Sequence, residues 1–223
     1  MNNETCWTLI HAVNSGDEAA RDDFVSRYLP PVRAYLRARW RGGPLSSEAD
    51  DAVQEVFVRC FGTAGPLDRV ERISTQGFRG YLYGICRNVA REHEQALGRK
   101  PEPHGDAVED LPDLENRLSA TFDRAFAQQV MKEARDTFRS RAQDGDEAAQ
   151  RRFELLALRF EENLPIREIA ERWQQPAAQV HKEYARARRE YREALLTVVA
   201  EQNPDRTPTE IEDAAKHLLD LIS

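Results

Sequence analysis

The sequence lacks the features that mark secreted, membrane-spanning or metal-binding proteins. Its three cysteines form no CxxC pair and its five histidines show no HExxH spacing, so neither a disulfide framework nor a metal site is predicted. No apolar run approaches the roughly 18 residues that cross a bilayer. The first residues, MNNETCWTLIHAVNSGDEAA, contain no basic region followed by an apolar stretch, which predicts no signal peptide. These absences predict a cytoplasmic protein without membrane insertion or cofactor.

A strong basic excess is also missing. The 223 residues carry 32 basic and 39 acidic side chains, a formal net charge of −7. Residues 1–100 have 14 basic and 13 acidic groups and residues 150–200 have 10 and 8, whereas residues 101–149 have 6 and 12 and residues 201–223 have 2 and 6. Avid DNA binding needs a basic face that neutralises phosphates. The isolated chain is therefore predicted to bind DNA poorly.

Strand signals are scarce, and the spacing of apolar residues predicts an all-α fold. In the first hundred residues, helices are predicted over about 4–13, 18–39, 48–60 and 78–97. Pro30-Pro31 is expected to kink or interrupt the second of these helices. A loop rich in turn residues, 62–77, precedes the fourth helix.

The middle of the chain differs from both ends in composition. GRKPEPHGDAVEDLPDLEN (residues 98–116) has three prolines and two glycines, which predicts a linker. Helical spacing resumes over residues 115–150 and again around Phe153, Leu156 and Phe160. Two helices joined by a turn at residues 174–176 then follow, and the second is basic, an arrangement typical of a helix-turn-helix.

The tail after Val199 contains a further predicted helix. TPTE at residues 207–210 has the form of a capping box with Pro208 at the first helical position. The apolar stripe behind it consists of Ile211, Ala214, Ala215, Leu218 and Ile222. A short helix is marginal alone in water, so the stripe is expected to pack on the second domain. The alternatives are an acidic lid over the basic helix and a handle for a regulator.

The segment EADDAVQEVFVRC (residues 48–60) raises a question about its acids. Five of its residues would share one apolar helix face, while the acids and Gln54 point away from that face. The five are Ala49, Val53, Val56, Phe57 and Cys60. A solvated surface with acids at the positive end of the helix dipole is one explanation. A docking surface for a basic partner is the other.

Three segments, in this order, resemble a bacterial RNA polymerase sigma factor of the extracytoplasmic-function group. EADDAVQEVFVRC is similar to the family pattern DAEDLVQEVFLR, and FRGYLYGICRNVAREH is similar to FRAWLYRIARNLARDH. LALRFEENLPIREIAERW with ARARREYREAL resembles the sigma-4 helix-turn-helix and its trailing helix. The resemblance covers about residues 4–100 and 153–199. It implies two helical domains joined by a linker: sigma-2 over 1–100, the linker over 101–116, sigma-4 with an N-terminal helical extension over 117–200, and a tail over 201–223.

The resemblance implies a non-enzymatic initiation factor that directs core RNA polymerase to specific promoters and assists promoter melting. No nucleophile–base arrangement, phosphate loop or paired-carboxylate cleft is discernible in the sequence. The family's polymerase contacts are a coiled coil of the β′ subunit, which binds the acidic helix, and the β flap. An anti-sigma factor or another regulator is a further partner that such a factor can have. The residues that match the coiled-coil contact are Asp50, Asp51, Gln54 and Glu55.

The same resemblance implies two promoter DNA contacts. For the −10 element the matching residues are Arg79, Tyr81, Ile85, Arg87, Asn88 and Arg91, with Tyr81 standing where the family usually has tryptophan. For the −35 element they are Gln179, His181, Lys182, Arg186 and Arg189. Tyr81 is alternatively a core aromatic, and the arginines are alternatively a solvated face.

Two departures from the family pattern leave a second function open. Glu183 stands where the family often has a basic residue, and Gln174-Gln175-Pro176 replaces a turn that usually contains glycine. A carboxylate at position 183 would either accept from cytosine N4 or weaken DNA contact. The acidic balance and Glu183 favour the alternative of a sigma-like helical adaptor or decoy that binds polymerase or a regulator without promoter recognition.

Overall fold

The computed structural model describes residues 9, 12–13, 15–61, 77–98, 111–203 and 206–222. Within these residues the chain forms eight α-helices and no strand, which confirms the all-α prediction. The helices are α1 (Glu18–Arg39), α2 (Ala49–Phe61), α3 (Gly77–Ala96), α4 (Leu111–Asp144), α5 (Glu147–Phe160), α6 (Ile166–Arg172), α7 (Ala177–Gln202) and α8 (Pro208–Ile222). The helix predicted over 4–13 lies largely outside the described residues, as does nearly all of the loop predicted over 62–77.

Helix α1 begins at a side-chain cap and continues through both of its prolines. Asp17 accepts hydrogen bonds from the backbone N–H groups of Ala19 and Ala20 at 2.9 and 3.2 Å, which is a standard N-cap. The interruption expected at Pro30-Pro31 is wrong, because α1 is one helix from residue 18 to residue 39. Pro31 is itself buried with its neighbours, and we infer that this packing offsets the lost backbone hydrogen bonds.

The chain divides into two compact units. The first comprises Met1–Gln129, Glu201–Thr207 and Lys216–Ser223, and the second comprises Val130–Ala200 and Pro208–Ala215. The end of the predicted linker, residues 111–116, is helical and forms the first turns of α4. Residues of α4 up to 129 belong to the first unit, whereas the sequence suggested that residues from 117 onward extend the second domain.

Aromatic side chains form the core of the first unit. Phe24 of α1 is fully buried, and its ring centroid lies 4.8 Å from that of Tyr28 and 5.7 Å from that of Phe78 in α3. Tyr28 in turn stacks on Phe126 of α4 at 6.3 Å. Edge-to-face and stacked aromatic pairs add to the free energy gained from burial alone. The first half of α4 therefore shares one core with α1 and α3.

The second unit contains the two helices that flank the predicted turn. Its core joins Leu155 and Leu158 of α5 to Ile169 of α6 and Val180 of α7. Between α6 and α7, Gln174 has a φ of 51°, in the left-handed region where glycine is the usual residue. Gln174 therefore adopts a backbone conformation that a glycine would reach with less strain.

The tail forms a helix, as predicted, and its first half packs within the second unit. Glu212 of α8 lies 3.3 Å from Arg192 of α7, and Ala215 is buried. These contacts favour packing on the C-terminal half of α7 over a lid across its first turns. None of the helices in the described part of the chain has the length and hydrophobicity of a transmembrane span.

Candidate functional site

Helix α2 exposes a face of two acids and a glutamine that ends in one valine. Asp50, Asp51 and Gln54 are exposed, and Val58, one heptad after Asp51, is 68% exposed. We call these four residues the docking face. Asp50 lies 3.4 Å from Arg33 and 3.3 Å from Arg37, but exposed pairs of this kind contribute only about 0–1 kcal/mol. Within the described residues no ion pair or side-chain hydrogen bond involves Asp51 or Gln54. The docking face is therefore open to a partner.

Glu55, the fourth predicted polymerase contact, is half-buried and also forms contacts inside the first unit. One of its oxygens lies 2.7 Å from Nε2 of His93 in α3, and the other accepts a hydrogen bond from Arg59. The hydrogen bond to His93 is the largest cause that holds the pKa of Glu55 below its usual value. Glu55 therefore ties α2 to α3 and is less available to a partner than Asp51.

His93 sits between two carboxylates of the α2 region. Its Nδ1 lies 3.3 Å from Glu48 and its Nε2 lies 2.7 Å from Glu55. Burial by itself would lower the pKa of His93, but the hydrogen bonds and charges of Glu55 and Glu48 outweigh it and raise that pKa. The imidazolium form donates from both nitrogens, so it satisfies both carboxylates at once.

Replacing His93 with asparagine is expected to destabilise the first unit most at low pH. Because the folded-state pKa of His93 lies above the unfolded value of 6.5, its stabilising effect is complete below that value. The effect is lost as the pH rises through the folded pKa. Thermal unfolding of wild type and H93N from about pH 5 to about pH 9 should show a Tm difference that shrinks as pH rises. A pH-independent difference would contradict the charged state assigned to His93.

Helix α3 carries two faces with different surroundings. On one face Tyr81, Ile85 and Asn88 follow one another at helical spacing. Ile85 is buried, Tyr81 is half-buried, and both Asn88 and Arg91 are exposed. Burial raises the pKa of Tyr81, and its hydroxyl is buried without a hydrogen-bond partner in the part of the chain that the structure describes. We call Tyr81, Asn88 and Arg91 the Asn88 face.

The other face of α3 is covered by the first half of α4. Nε of Arg79 donates to Asp123 at 2.6 Å, and its Nη2 donates to Ser119 at 3.1 Å. Nε of Arg87 lies 3.5 Å from Glu115. The three α4 residues are spaced four apart, so they form one polar stripe along that helix. Arg79 and Arg87, both predicted to contact the −10 element, are thus engaged by protein groups.

Helix α7 presents an exposed basic face in the second unit. Lys182, Arg186 and Arg189 share this face and are exposed; we call them the basic face. The other two predicted −35 residues, Gln179 and His181, are exposed in the first turns of α7. Val180 and Ala187 point the opposite way and are fully buried. All five predicted residues are therefore accessible to a ligand.

Sequence reasoning missed several groups at these sites. Val58 could have been found, because it lies seven residues after Asp51 and so on the same helix face. The ion pairs of Arg152 with Glu183 and Glu190 could not have been found, because they join α5 to α7 across more than thirty residues. The same is true of Glu115 and Asp123, which cover the arginines of α3.

The comparisons with known proteins bear on the first unit. Residues 24–99 match the family model described as Sigma-70 region 2, and a search of curated proteins found no match to the chain. The matched range contains the docking face and the Asn88 face. In sigma factors, region 2 binds core RNA polymerase and promoter DNA. The chain therefore contains a sigma-70 region 2 domain, which implies a role in RNA polymerase binding and promoter melting.

Proposed function

We propose that this protein is a sigma factor of the extracytoplasmic-function group, which acts in the cytoplasm and directs core RNA polymerase to specific promoters. The observation that carries the proposal is the position of the docking face and the Asn88 face within the matched region 2. One of them offers an acidic surface for a protein, and the other offers an aromatic and an amide for a nucleic acid. No reaction is catalysed in this proposal, and no cofactor is needed.

The docking face is proposed to bind the β′ coiled coil of the polymerase. Asp50, Asp51 and Gln54 supply the polar contacts, and charge complementarity of this kind increases both specificity and association rate. Val58 lies one turn after Gln54 and is exposed, so docking would remove its apolar surface from water, which is favourable. Glu55 contributes to this surface by holding α2 on α3 through His93.

The Asn88 face is proposed to hold the unstacked bases of the −10 element. An exposed amide can hydrogen-bond a base edge, and a half-buried tyrosine ring can stack on one. Arg91, exposed in the next turn, is placed to neutralise a phosphate. Ile85 lies beneath Tyr81 and Asn88 in the core, so its proposed part is to support the face. Arg79 and Arg87 would reach phosphate only by exchanging partners with α4.

The second unit is proposed to be sigma-4, with α6, the turn and α7 as the helix-turn-helix. The first turns of α7 would enter the major groove at the −35 element, with Gln179, His181 and Lys182 near base edges. Arg186 and Arg189 would contribute phosphate or base contacts. The β flap is the proposed polymerase partner of this domain, and an anti-sigma factor is its proposed regulator. The exposed basic face is what supports these assignments.

One observation favours a second candidate function, that of a helical adaptor or decoy. The carboxylates of Glu115 and Asp123 already hold Arg87 and Arg79, and the net charge is −7. A protein that binds polymerase but holds DNA poorly would have these properties. The two functions differ in whether the polymerase melts DNA when this protein is bound.

Asn88→Ala is expected to reduce promoter melting while polymerase binding stays intact. The substitution removes an exposed amide that has no role in the core of the first unit, so the fold is retained. Reactivity of −10 thymines toward permanganate in complexes with core polymerase should fall about tenfold, because the hydrogen bonds of an amide to a base edge are worth roughly 1–3 kcal/mol. Gln95→Ala, an exposed position further along α3, is the matched control. Normal reactivity in Asn88→Ala would remove the proposed role of the Asn88 face.

A further inference from the structure

Glu183 is held at the side of the basic face by an arginine of α5. Nη1 of Arg152 lies 3.5 Å from one oxygen of Glu183. Nε of the same arginine donates to Glu190 at 2.8 Å. Glu183 and Glu190 are seven residues apart and so lie on one flank of α7. A single guanidinium thus binds both carboxylates, and its side chain is only 13% exposed.

The second neighbour of Glu183 is a member of the basic face. Its other oxygen lies 3.6 Å from Nη1 of Arg186, three residues further along α7. Arg186 has a side chain that is 60% exposed, so this contact competes with solvent and with any ligand. Arg152 and Arg186 therefore share one carboxylate, and Arg152 is the better shielded partner.

From this geometry we propose that Arg152 is a positioning residue for DNA recognition by α7. It holds Glu183 and Glu190 against α5 and offsets one of their two negative charges, so that Arg186 stays available to DNA. Glu183 then contacts no base and belongs to the clamp formed by Arg152, Glu183 and Glu190. The inference rests on the proposed −35 role of α7 and explains how an acid is tolerated there.

The physical reason is the local charge that DNA would meet. Without Arg152, the remaining ion-pair partner of Glu183 would be Arg186, and pairing at i, i+3 on a helix is favourable. Arg186 would then be withdrawn from phosphate, and the carboxylate of Glu190 would be left without its partner beside the DNA backbone. Each effect lowers affinity through the electrostatic part of binding.

The test compares full-length variants bound to core RNA polymerase on a duplex library randomised in the upstream promoter element. Arg152→Met should retain about tenfold less DNA than wild type, as expected when unpaired like charges meet across an interface. The triple variant R152M/E183Q/E190Q should recover to within about twofold of wild type and select the same sequence. Arg139→Met, which removes the same charge from α4, is the control and should bind as wild type does.

Each outcome decides between named alternatives. A triple variant that binds as weakly as Arg152→Met would show that Arg152 acts through packing, and a changed sequence preference in E183Q alone would make Glu183 a base contact. Normal binding by Arg152→Met would also overturn the inference. If wild-type protein selects no upstream sequence, the −35 role of α7 itself fails, and the inference fails with it.

Discussion

Reversing the charge of the docking face, in the double variant D51K/Q54K, should abolish most of the affinity for core RNA polymerase. Both side chains are exposed. In the part of the chain that the structure describes, neither side chain forms a hydrogen bond or an ion pair. Lysines at these positions would meet a basic partner surface with like charge, which costs several kcal/mol at an interface. We expect a loss of at least about 2 kcal/mol, or roughly thirtyfold in Kd.

The matched control for this variant is D22K/D23K. Asp22 and Asp23 are also exposed acids, but they lie in α1 outside the docking face. Both double variants should keep the wild-type Tm, since the substitutions touch no core contact. Polymerase affinity, measured by titration of labelled protein with core enzyme, should be unchanged in D22K/D23K. Equal losses in the two variants would show that only net charge matters, and the docking face would lose its assignment.

Arg39→Met should be the most destabilising single substitution in the first unit outside the hydrophobic core. The guanidinium of Arg39 donates to Glu94 at 2.7 and 3.0 Å and to Glu115 at 2.9 Å. Its side chain is only 7% exposed. Burial by itself would lower the pKa of Arg39, but the hydrogen bond to Glu94 and the other contacts raise it. The net effect is a raised pKa, so the group stays charged. Removing one partner of such a buried pair costs about 3–5 kcal/mol, because the other charge is left uncompensated.

Denaturant unfolding of Arg39→Met would measure this loss directly. The neutral triple variant R39M/E94Q/E115Q should regain much of the stability, since no unpaired charge is then left behind. A loss below about 1 kcal/mol in Arg39→Met would contradict the expectation. It would show that these ion pairs stabilise the fold no more than exposed ion pairs do. The result also tests whether α4 belongs to the first unit, since Glu115 is the α4 member of the group.

Helix positions followed from the sequence because apolar spacing and capping are local properties. The stripe of α3 and the capping box of α8 each involve residues within one or two turns of one another. Asp51 and Gln54 were placed on the outward face of α2 by the same reasoning, and they are exposed. Pro30 and Pro31 were misjudged because the local rule ignores the packing of Pro31 within the first unit.

The partners of charged residues did not follow from the sequence, because they come from other helices. Periodicity places Arg79 on a face of α3, but only the packing of α4 puts Asp123 beside it, 44 residues later. Glu55 is assigned to the outside of α2 by spacing, yet His93 of α3 reaches it. Tertiary contacts of this kind decide which charges are free for a partner.

Transcription by core polymerase on genomic DNA of the source organism, with the 5′ ends of the products sequenced, tests the central claim most directly. The account predicts that this protein directs initiation to a small set of start sites that share upstream sequence elements. It also predicts that Asn88→Ala reduces these products while D22K/D23K does not. Tight binding of the protein to core polymerase without any defined start site would contradict the account and identify an adaptor or decoy.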